Sequence, residues 1–159
     1  AQMHGFTVEE WLNDLTLKRR NMVDRFEVED LEGGIYTASL VPDASFVITT
    51  KERSFRFLLE VDKGTETLKT IGEKFLKYRN YFQPKQGPSV YEHRYGTSRG
   101  RVLIIAPSST RLQALKRVCE EVGGRTRFLF GLLSELQTQD VYTAPLWQVA
   151  GSDERSCLL

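Results

Sequence analysis

One stretch, residues 42–82, limits the folds open to this chain more than any other. Two runs of β-forming residues, Ala44–Thr50 and Phe55–Asp62, flank a short charged turn, and this pattern is typical of an antiparallel β-hairpin. In the segment that follows, apolar residues recur every three or four positions up to Phe82, which predicts an amphipathic helix. The stretch therefore predicts two paired strands with a helix directly after them.

Three carboxylates are expected at one end of this hairpin. Asp43 precedes the first strand, and Glu60 and Asp62 end the second, so antiparallel pairing brings them side by side. Glu60 and Asp62 are two positions apart and therefore leave the same face of the strand. Like charges held this close repel one another, and a bound Mg²⁺ or Mn²⁺ ion, which prefers oxygen ligands, would offset that repulsion. Asp43, Glu60 and Asp62 are thus candidate metal ligands.

Lys74 lies at the edge of the apolar stripe of the predicted helix, and from there its long side chain could reach the acids. The alternative is that the acids are solvated strand ends paired with neighbouring cations and that Lys74 is exposed, as most lysines are. The residues alone leave both interpretations open.

Composition excludes several classes of protein. A chain of 159 residues is about one domain, and 22 basic against 21 acidic residues give no overall excess of positive charge, so any nucleic-acid surface must come from local segregation. Two distant cysteines and two histidines argue against a zinc site or a disulfide scaffold and fit a reducing cytoplasm. No apolar run approaches membrane length, and no signal-peptide pattern is present, so we expect no membrane association.

The other segments predict alternating helices and strands around one central sheet. Thr7 and Glu10 form a capping-box pattern ahead of a helical period. We expect a mixed α/β domain over residues 1–150, with helices flanking the sheet, and a disordered polar tail over 151–159. The further elements expected are a helix at 7–20, strands at 22–28 and 35–40, a long loop at 83–100, a strand at 101–106, a helix at 110–122, a strand at 126–130, a short helix at 131–137 and a short strand at 146–149.

The predicted loop at 83–100 mixes aromatic and basic side chains. That mixture suits contact with a sugar-phosphate backbone and with unstacked bases. The residues that we expect to contact nucleic acid, here and beside the acids, are Lys63, Lys77, Tyr78, Arg94, Arg99 and Arg101.

The hairpin and its acids resemble the core of PD-(D/E)XK nucleases, which share the order αβββαβ. The first acid of that family follows a proline, as Asp43 follows Pro42, and the second motif matches Glu60-Val61-Asp62. The resemblance implies a metal-dependent nuclease in which Asp43, Glu60, Asp62 and Lys74 are the catalytic residues. Asp62 stands where the family has a lysine, and Lys74 from the following helix is the natural replacement.

A more specific resemblance is to the plasmid replication-relaxation protein family. The block from Phe57 to Glu66, with Lys74 and Tyr78 after it, looks like that family's most characteristic segment, and the likeness covers roughly residues 10–150. Members are similar in having a winged-helix DNA-binding region first; this chain contains none, so we expect it to be the C-terminal domain or a truncated form. The partners implied are plasmid DNA and other replication proteins, and dimerisation is left open.

Three functions follow from these patterns. The first is a DNA endonuclease or nickase dependent on Mg²⁺ or Mn²⁺. The second is a nuclease-like fold without catalysis that binds DNA or dimerises in a replication complex. The third is an α/β domain that binds another protein and whose acids are merely solvated.

Overall fold

A computed structural model describes residues 5–159, and the first four residues of the expected domain lie outside the described part. A seven-stranded mixed sheet and a separate two-stranded sheet, with helices between the strands, confirm the predicted mixed α/β class. The strands are β1 (Phe6–Asn13), β2 (Arg25–Glu29), β3 (Ile35–Ser39), β4 (Ala44–Thr50), β5 (Ser54–Val61), β6 (Gly100–Ala106), β7 (Phe128–Leu132), β8 (Trp147–Val149) and β9 (Arg155–Ser156). The helices are α1 (Asp14–Arg19), α2 (Leu68–Phe82), α3 (Val90–Tyr95), α4 (Ser109–Glu121) and α5 (Leu133–Leu136).

The central sheet has the order β1-β4-β5-β6-β7-β8-β9. β1, β4 and β5 pair antiparallel, β5, β6 and β7 pair parallel, and β8 and β9 are again antiparallel. Parallel neighbours need a crossover, because the chain must return to the same end of the sheet before the next strand begins. α2 lies in the crossover from β5 to β6, and α4 lies in the crossover from β6 to β7.

The hairpin predicted from the sequence is present as β4 and β5. Ala44 pairs with Leu59, and Thr49 pairs with Ser54. The turn is held by Thr50, whose Oγ1 accepts hydrogen bonds from the backbone N–H groups of residues 52 and 53 at 3.3 and 3.2 Å. At the other end, the Asp43 N–H donates to the Leu59 carbonyl oxygen at 2.9 Å, so Asp43 lies beside the end of β5 as expected.

The larger hydrophobic core lies between the sheet and the two long helices, α2 and α4. Each helix begins after a capping residue: the Thr67 side chain accepts from the Thr70 N–H, and the Ser108 side chain accepts from the Arg111 N–H. Among the described residues, no helix has the length and apolar character needed to cross a membrane. The core includes Leu58, Ile71, Phe75, Tyr78, Val102, Ile104, Leu112, Leu115 and Phe130.

A second core covers the opposite face of the sheet around Phe57 and Trp147. The C-terminal segment contributes to it, because Leu158 is buried there and β9 pairs with β8. The prediction of a disordered tail over residues 151–159 is therefore wrong. The polar composition of this segment does not indicate β9 or the burial of Leu158, because both depend on contacts with residues distant in sequence.

The helix expected over residues 7–20 is wrong in its first half. Residues 6–13 form the edge strand β1 against β4, and the helix begins only at residue 14, capped by Asn13. The strand pairing shifts between Glu9 and Leu12, and Glu10 has a φ of 51°. This bulge interrupts the alternation of inward and outward side chains, and the apolar spacing across it imitates a helical period.

The predicted loop over residues 83–100 contains the short helix α3. Ser89 caps it, and Gly96, with a φ of 70°, ends it in the left-handed conformation that glycine tolerates. Tyr91 fixes the segment to the core: its ring is fully buried, and its hydroxyl donates to the Arg99 carbonyl oxygen at 2.9 Å. Tyr91 therefore fixes the segment 83–100 to the rest of the fold.

Candidate active site

The candidate site lies at the end of β5, where β4 begins and one face of α2 approaches. Asp43, Glu60 and Lys74 lie close together there; the sequence predicts this for the two acids and leaves it open for Lys74. Glu60 points toward α2 and is 7% exposed, whereas Asp43 lies at the surface. The hairpin register brings the two acids to the same end of the sheet, and α2 supplies the cation.

Glu60 is bound by two side chains of α2. The Tyr78 hydroxyl donates to Oε1 at 2.6 Å, and Lys74 Nζ lies 3.4 Å from Oε2. Lys74 and Tyr78 are four residues apart, so they lie one turn apart on the same face of the helix. Each carboxylate oxygen of Glu60 therefore has its own donor.

The environment of Glu60 changes its acidity. Burial raises the pKa of Glu60 to about 7, with a smaller increase from Asp43, against the lowering effects of Lys74 and the Tyr78 hydrogen bond. Near neutral pH this carboxyl group therefore exchanges its proton easily. Strong perturbation by burial together with specific charged neighbours is typical of functional groups.

Lys74 also contacts Glu66, at 3.6 Å between Nζ and Oε1. Burial by itself lowers the pKa of Lys74, but the charges of Glu60, Glu66 and Asp43 together raise it above its ordinary value. The ammonium group stays protonated at neutral pH as a result. Lys74 is thus suited to bind and orient an anion, and it is not suited to remove a proton.

Asp43 is held by the backbone of β5. The Val61 N–H donates to Oδ2 of Asp43 at 2.7 Å. Within residues 5–159, its other oxygen, Oδ1, accepts no hydrogen bond. Asp43 therefore presents one oxygen in a fixed orientation at the surface of the site, next to the buried Glu60.

Asp62 differs from the prediction. Arg111 of α4 binds both of its oxygens, with Nε at 2.8 Å and Nη2 at 3.1 Å, and the Asp62 carboxylate is only 7% exposed. Arg111 also donates to the Glu66 carbonyl oxygen at 2.8 Å. The predicted role of Asp62 as a metal ligand is not supported, because a bidentate guanidinium already neutralises it. The pair instead joins the end of β5 to the first turn of α4.

Replacing Arg111 with methionine is expected to lower the free energy of unfolding by about 2–3 kcal/mol, because the Asp62 carboxylate loses both charged donors while staying nearly buried. Urea denaturation measures the change. Adding Asp62→Asn is expected to restore part of the loss, since the amide leaves no unpaired charge. Arg117→Met, at an exposed position of the same helix, is the control, and equal losses in the two arginine variants would contradict the pairing.

The residues predicted to contact nucleic acid do not form one surface. Lys63 is exposed just after β5, close to the acids. Tyr78 is wrong as a contact residue, since it is fully buried and its hydroxyl is bound to Glu60. Arg94 is bound through two hydrogen bonds of 2.6 Å to Asp24. Lys77 is half-buried on α2, and Arg99 and Arg101 lie at the opposite end of the central strands.

Of the three carboxylates predicted as metal ligands, Asp43 and Glu60 remain for a cation. Within residues 5–159, no group of three or more acids, histidines and cysteines is placed to hold a metal ion. Asp43 and Glu60 nevertheless fit Mg²⁺ or Mn²⁺, because such ions are often held by one or two carboxylates while water and substrate phosphates fill the other positions.

Comparison with known proteins identifies the family. The model of the family described as replication-relaxation matches residues 2–98, well over half of the chain. The chain belongs to the replication-relaxation family. No curated protein and no solved structure is significantly similar to it. Membership in the replication-relaxation family implies a role in plasmid replication or relaxation.

The match to the replication-relaxation family includes Asp43, Glu60, Lys74 and Tyr78 but ends before Arg111. Two contacts of the acids, Tyr78 with Glu60 and Arg111 with Asp62, were not predicted from the sequence. The contact of Tyr78 could have been predicted, because Tyr78 follows Lys74 by one helical turn and therefore faces the same carboxylate. The contact of Arg111 with Asp62 could not have been predicted. It joins residues 49 positions apart and depends on how α4 packs against the end of β5.

Proposed function

We propose that the chain is a DNA endonuclease, acting as a nickase on plasmid DNA, that depends on Mg²⁺ or Mn²⁺ and has a PD-(D/E)XK nuclease-like core. The observation that carries the proposal is the contact of Lys74 with the buried Glu60, beside Asp43. These three residues supply the acids and the cation of the expected motif, with the cation coming from the helix instead of the strand.

The strand arrangement supports this proposal. β1, β4 and β5 form an antiparallel series, α2 crosses over, and β6 pairs parallel to β5. That order matches the βββαβ part of the expected core. Two features depart from it: within the described residues no helix precedes β1, and α1 and the β2–β3 sheet lie between the first two strands of the series.

Asp43 and Glu60 would hold the metal ion, which when bound would activate water and stabilise charge on the phosphodiester. The hydrogen bond from Tyr78 and the contact with Lys74 fix the position of the Glu60 carboxylate. The Val61 N–H fixes Asp43 in the same way. Pre-organised groups of this kind need no rearrangement when the substrate arrives.

Lys74 binds the substrate in this proposal. Its Nζ stays protonated and partly exposed, with 33% of the side chain accessible, so it can donate to an oxygen of the scissile phosphate while it remains near Glu60. Lys63, exposed one residue after Asp62, adds positive charge on the side from which DNA would approach. Such local charge attracts the backbone even though the net charge is only +1.

Incubation with supercoiled plasmid tests the proposal. With Mg²⁺ or Mn²⁺ present we expect conversion to open circles, and with excess EDTA we expect none. Agarose gel electrophoresis of a time course distinguishes open circles from linear products. Absence of conversion with either ion, by protein that is folded by circular dichroism, would count against a nickase.

A second function is favoured by one observation, the Asp62–Arg111 pair, which leaves two acids where three were expected. Under this alternative the fold binds DNA or dimerises in a replication complex without cleaving. Binding would then need no metal and would weaken steeply with salt, because the release of counterions that drives binding becomes less favourable as the salt concentration rises. A gel shift in EDTA that disappears between low and high salt, without any nicking in Mg²⁺ or Mn²⁺, would favour this function over the first.

A further inference from the structure

A pocket of about 290 Å³ opens at the end of the sheet opposite the acids. It lies where α2 ends and where β6 and β7 begin. Phe55, at the start of β5, is part of its wall, so the pocket is about five residues, or about 17 Å, from Glu60 along that strand. Its lining contains five arginines and no acidic residue: Arg79, Arg99, Arg101, Arg125 and Arg127.

None of these five arginines is neutralised. Within residues 5–159, none of them forms an ion pair with a carboxylate. Elsewhere in the described chain the arginines of buried or half-buried pairs behave differently: Arg94 binds Asp24 and Arg111 binds Asp62, each through two hydrogen bonds. The pocket therefore concentrates positive charge that no ion pair with a described carboxylate offsets.

Neutral groups hold three of the guanidinium groups in place. Arg127 donates to the Ser98 and Gly100 carbonyl oxygens at 2.8 and 2.6 Å, and its guanidinium carbon lies 4.4 Å from the centre of the Phe82 ring. Arg79 donates to the Val122 carbonyl oxygen at 2.9 Å. Arg125 donates to the Gly124 carbonyl oxygen at 2.7 Å. Each of these bonds uses one nitrogen of a group with five N–H donors, so donors remain for a ligand.

Two other arginines have guanidinium groups without acceptors. Within the described residues, neither Arg99 nor Arg101 donates a side-chain hydrogen bond. Arg101 is half-buried with its guanidinium carbon 5.3 Å from the centre of the Phe55 ring. An aromatic face offers a weaker partner than a carboxylate or a phosphate, so these donors are available.

This concentration of charge is costly without a ligand. Burial lowers the pKa of Arg101, and the nearby charge of Arg53 lowers it further. Burial also lowers the pKa of Arg127; the charge of Arg101 adds to this decrease, and Tyr91 and Glu92 oppose it. Guanidinium groups stay charged at any physiological pH, so a bound anion is the means by which the repulsion can be relieved.

We propose that this arginine pocket binds the phosphate group of a ligand, either the terminal phosphate of a nucleic-acid strand or the phosphates of a free nucleotide. Planar guanidinium groups match phosphate oxygens through paired hydrogen bonds. Several of them converging on one cavity favour a group with more than one negative charge. The volume is near the lower limit for small-ligand sites. The site is separate from Asp43 and Glu60 and does not depend on the proposed nickase activity.

Binding measurements in EDTA test the proposal independently of cleavage. Isothermal titration calorimetry with inorganic pyrophosphate is expected to show binding by the wild type. Arg101→Gln and Arg99→Gln are each expected to weaken it about tenfold, as the loss of a charge-assisted hydrogen bond predicts. The control is Arg19→Gln, which should bind as the wild type does. Arg19 is exposed in α1, which follows the strand that pairs with the start of β4, at the end of the sheet away from the pocket. Arg127 is not replaced, because it also anchors backbone carbonyls.

Fluorescence anisotropy then separates the two sources of phosphate. Tighter binding of a 5′-phosphorylated single-stranded oligonucleotide than of its 5′-hydroxyl counterpart, with competition by pyrophosphate, supports a strand end. Pyrophosphate binding with equal affinity for the two oligonucleotides supports a free nucleotide. Failure of the wild type to bind pyrophosphate, or equal weakening by Arg19→Gln, overturns the proposal. Arg99 is exposed, so its variant keeps the test decisive if the Arg101 variant does not fold.

Discussion

Replacing Asp43 with asparagine is expected to slow plasmid nicking at least about a hundredfold, a loss comparable to that caused by removing one charge-stabilising group from an active site. Asparagine keeps an oxygen that can accept from the Val61 N–H, the bond that holds Asp43 in place. The substitution therefore removes the negative charge while it preserves the local backbone. The initial rate of open-circle formation in Mg²⁺ or Mn²⁺ measures the effect.

The control for Asp43→Asn is Glu27→Gln, which removes one negative charge from an exposed position in β2. Both variants are expected to unfold at the wild-type temperature, because neither residue is buried. A nicking rate in Asp43→Asn equal to that of the control would show that the activity, if present, does not use this site. Loss of nicking in both variants would show that the loss is not specific to Asp43.

The sequence was sufficient to predict that Asp43 and Glu60 lie at the same end of the hairpin. Strand alternation and a short turn define a hairpin locally, and antiparallel pairing then places Asp43 beside the end of β5. The helix that follows directly has its own period, which places Lys74 at the edge of the apolar stripe; its contact with Glu60, which the sequence left open, is seen only in the structure. Features encoded within about forty consecutive residues were therefore accessible from sequence.

Features that depend on distant partners were not accessible. β1 is a strand because β4 offers it an edge, and its bulge disguises the alternation by which strands are identified. Leu158 is buried only because the second core leaves a place for it. Arg111 and the arginine pocket both depend on how the crossover segments pack onto the sheet. In each case tertiary contacts outweigh the local pattern.

Lowering the pH from about 8 to about 5 is expected to stabilise the fold through Glu60. Its pKa in the folded protein is about 7, above the reference value of 4.5, so the folded state binds this proton more tightly than the unfolded state does. The contribution of Glu60 to stability is therefore lost as the pH rises from about 4.5 to about 7. The full change is on the order of 3 kcal/mol, since one pKa unit corresponds to about 1.4 kcal/mol.

Glu60→Gln isolates this effect, because glutamine can accept from Tyr78 but does not ionise. Urea denaturation at a series of pH values is expected to show a variant about as stable as the wild type near pH 5 and more stable by about 2–3 kcal/mol near pH 8. If Asp43 and Glu60 hold a divalent cation, Mg²⁺ should stabilise the wild type at pH 8 and leave the variant unchanged, since a ligand that binds only the folded state raises its stability. Parallel pH profiles for the two proteins would contradict the assigned environment of Glu60, and equal stabilisation by Mg²⁺ would remove Glu60 from the proposed cation site.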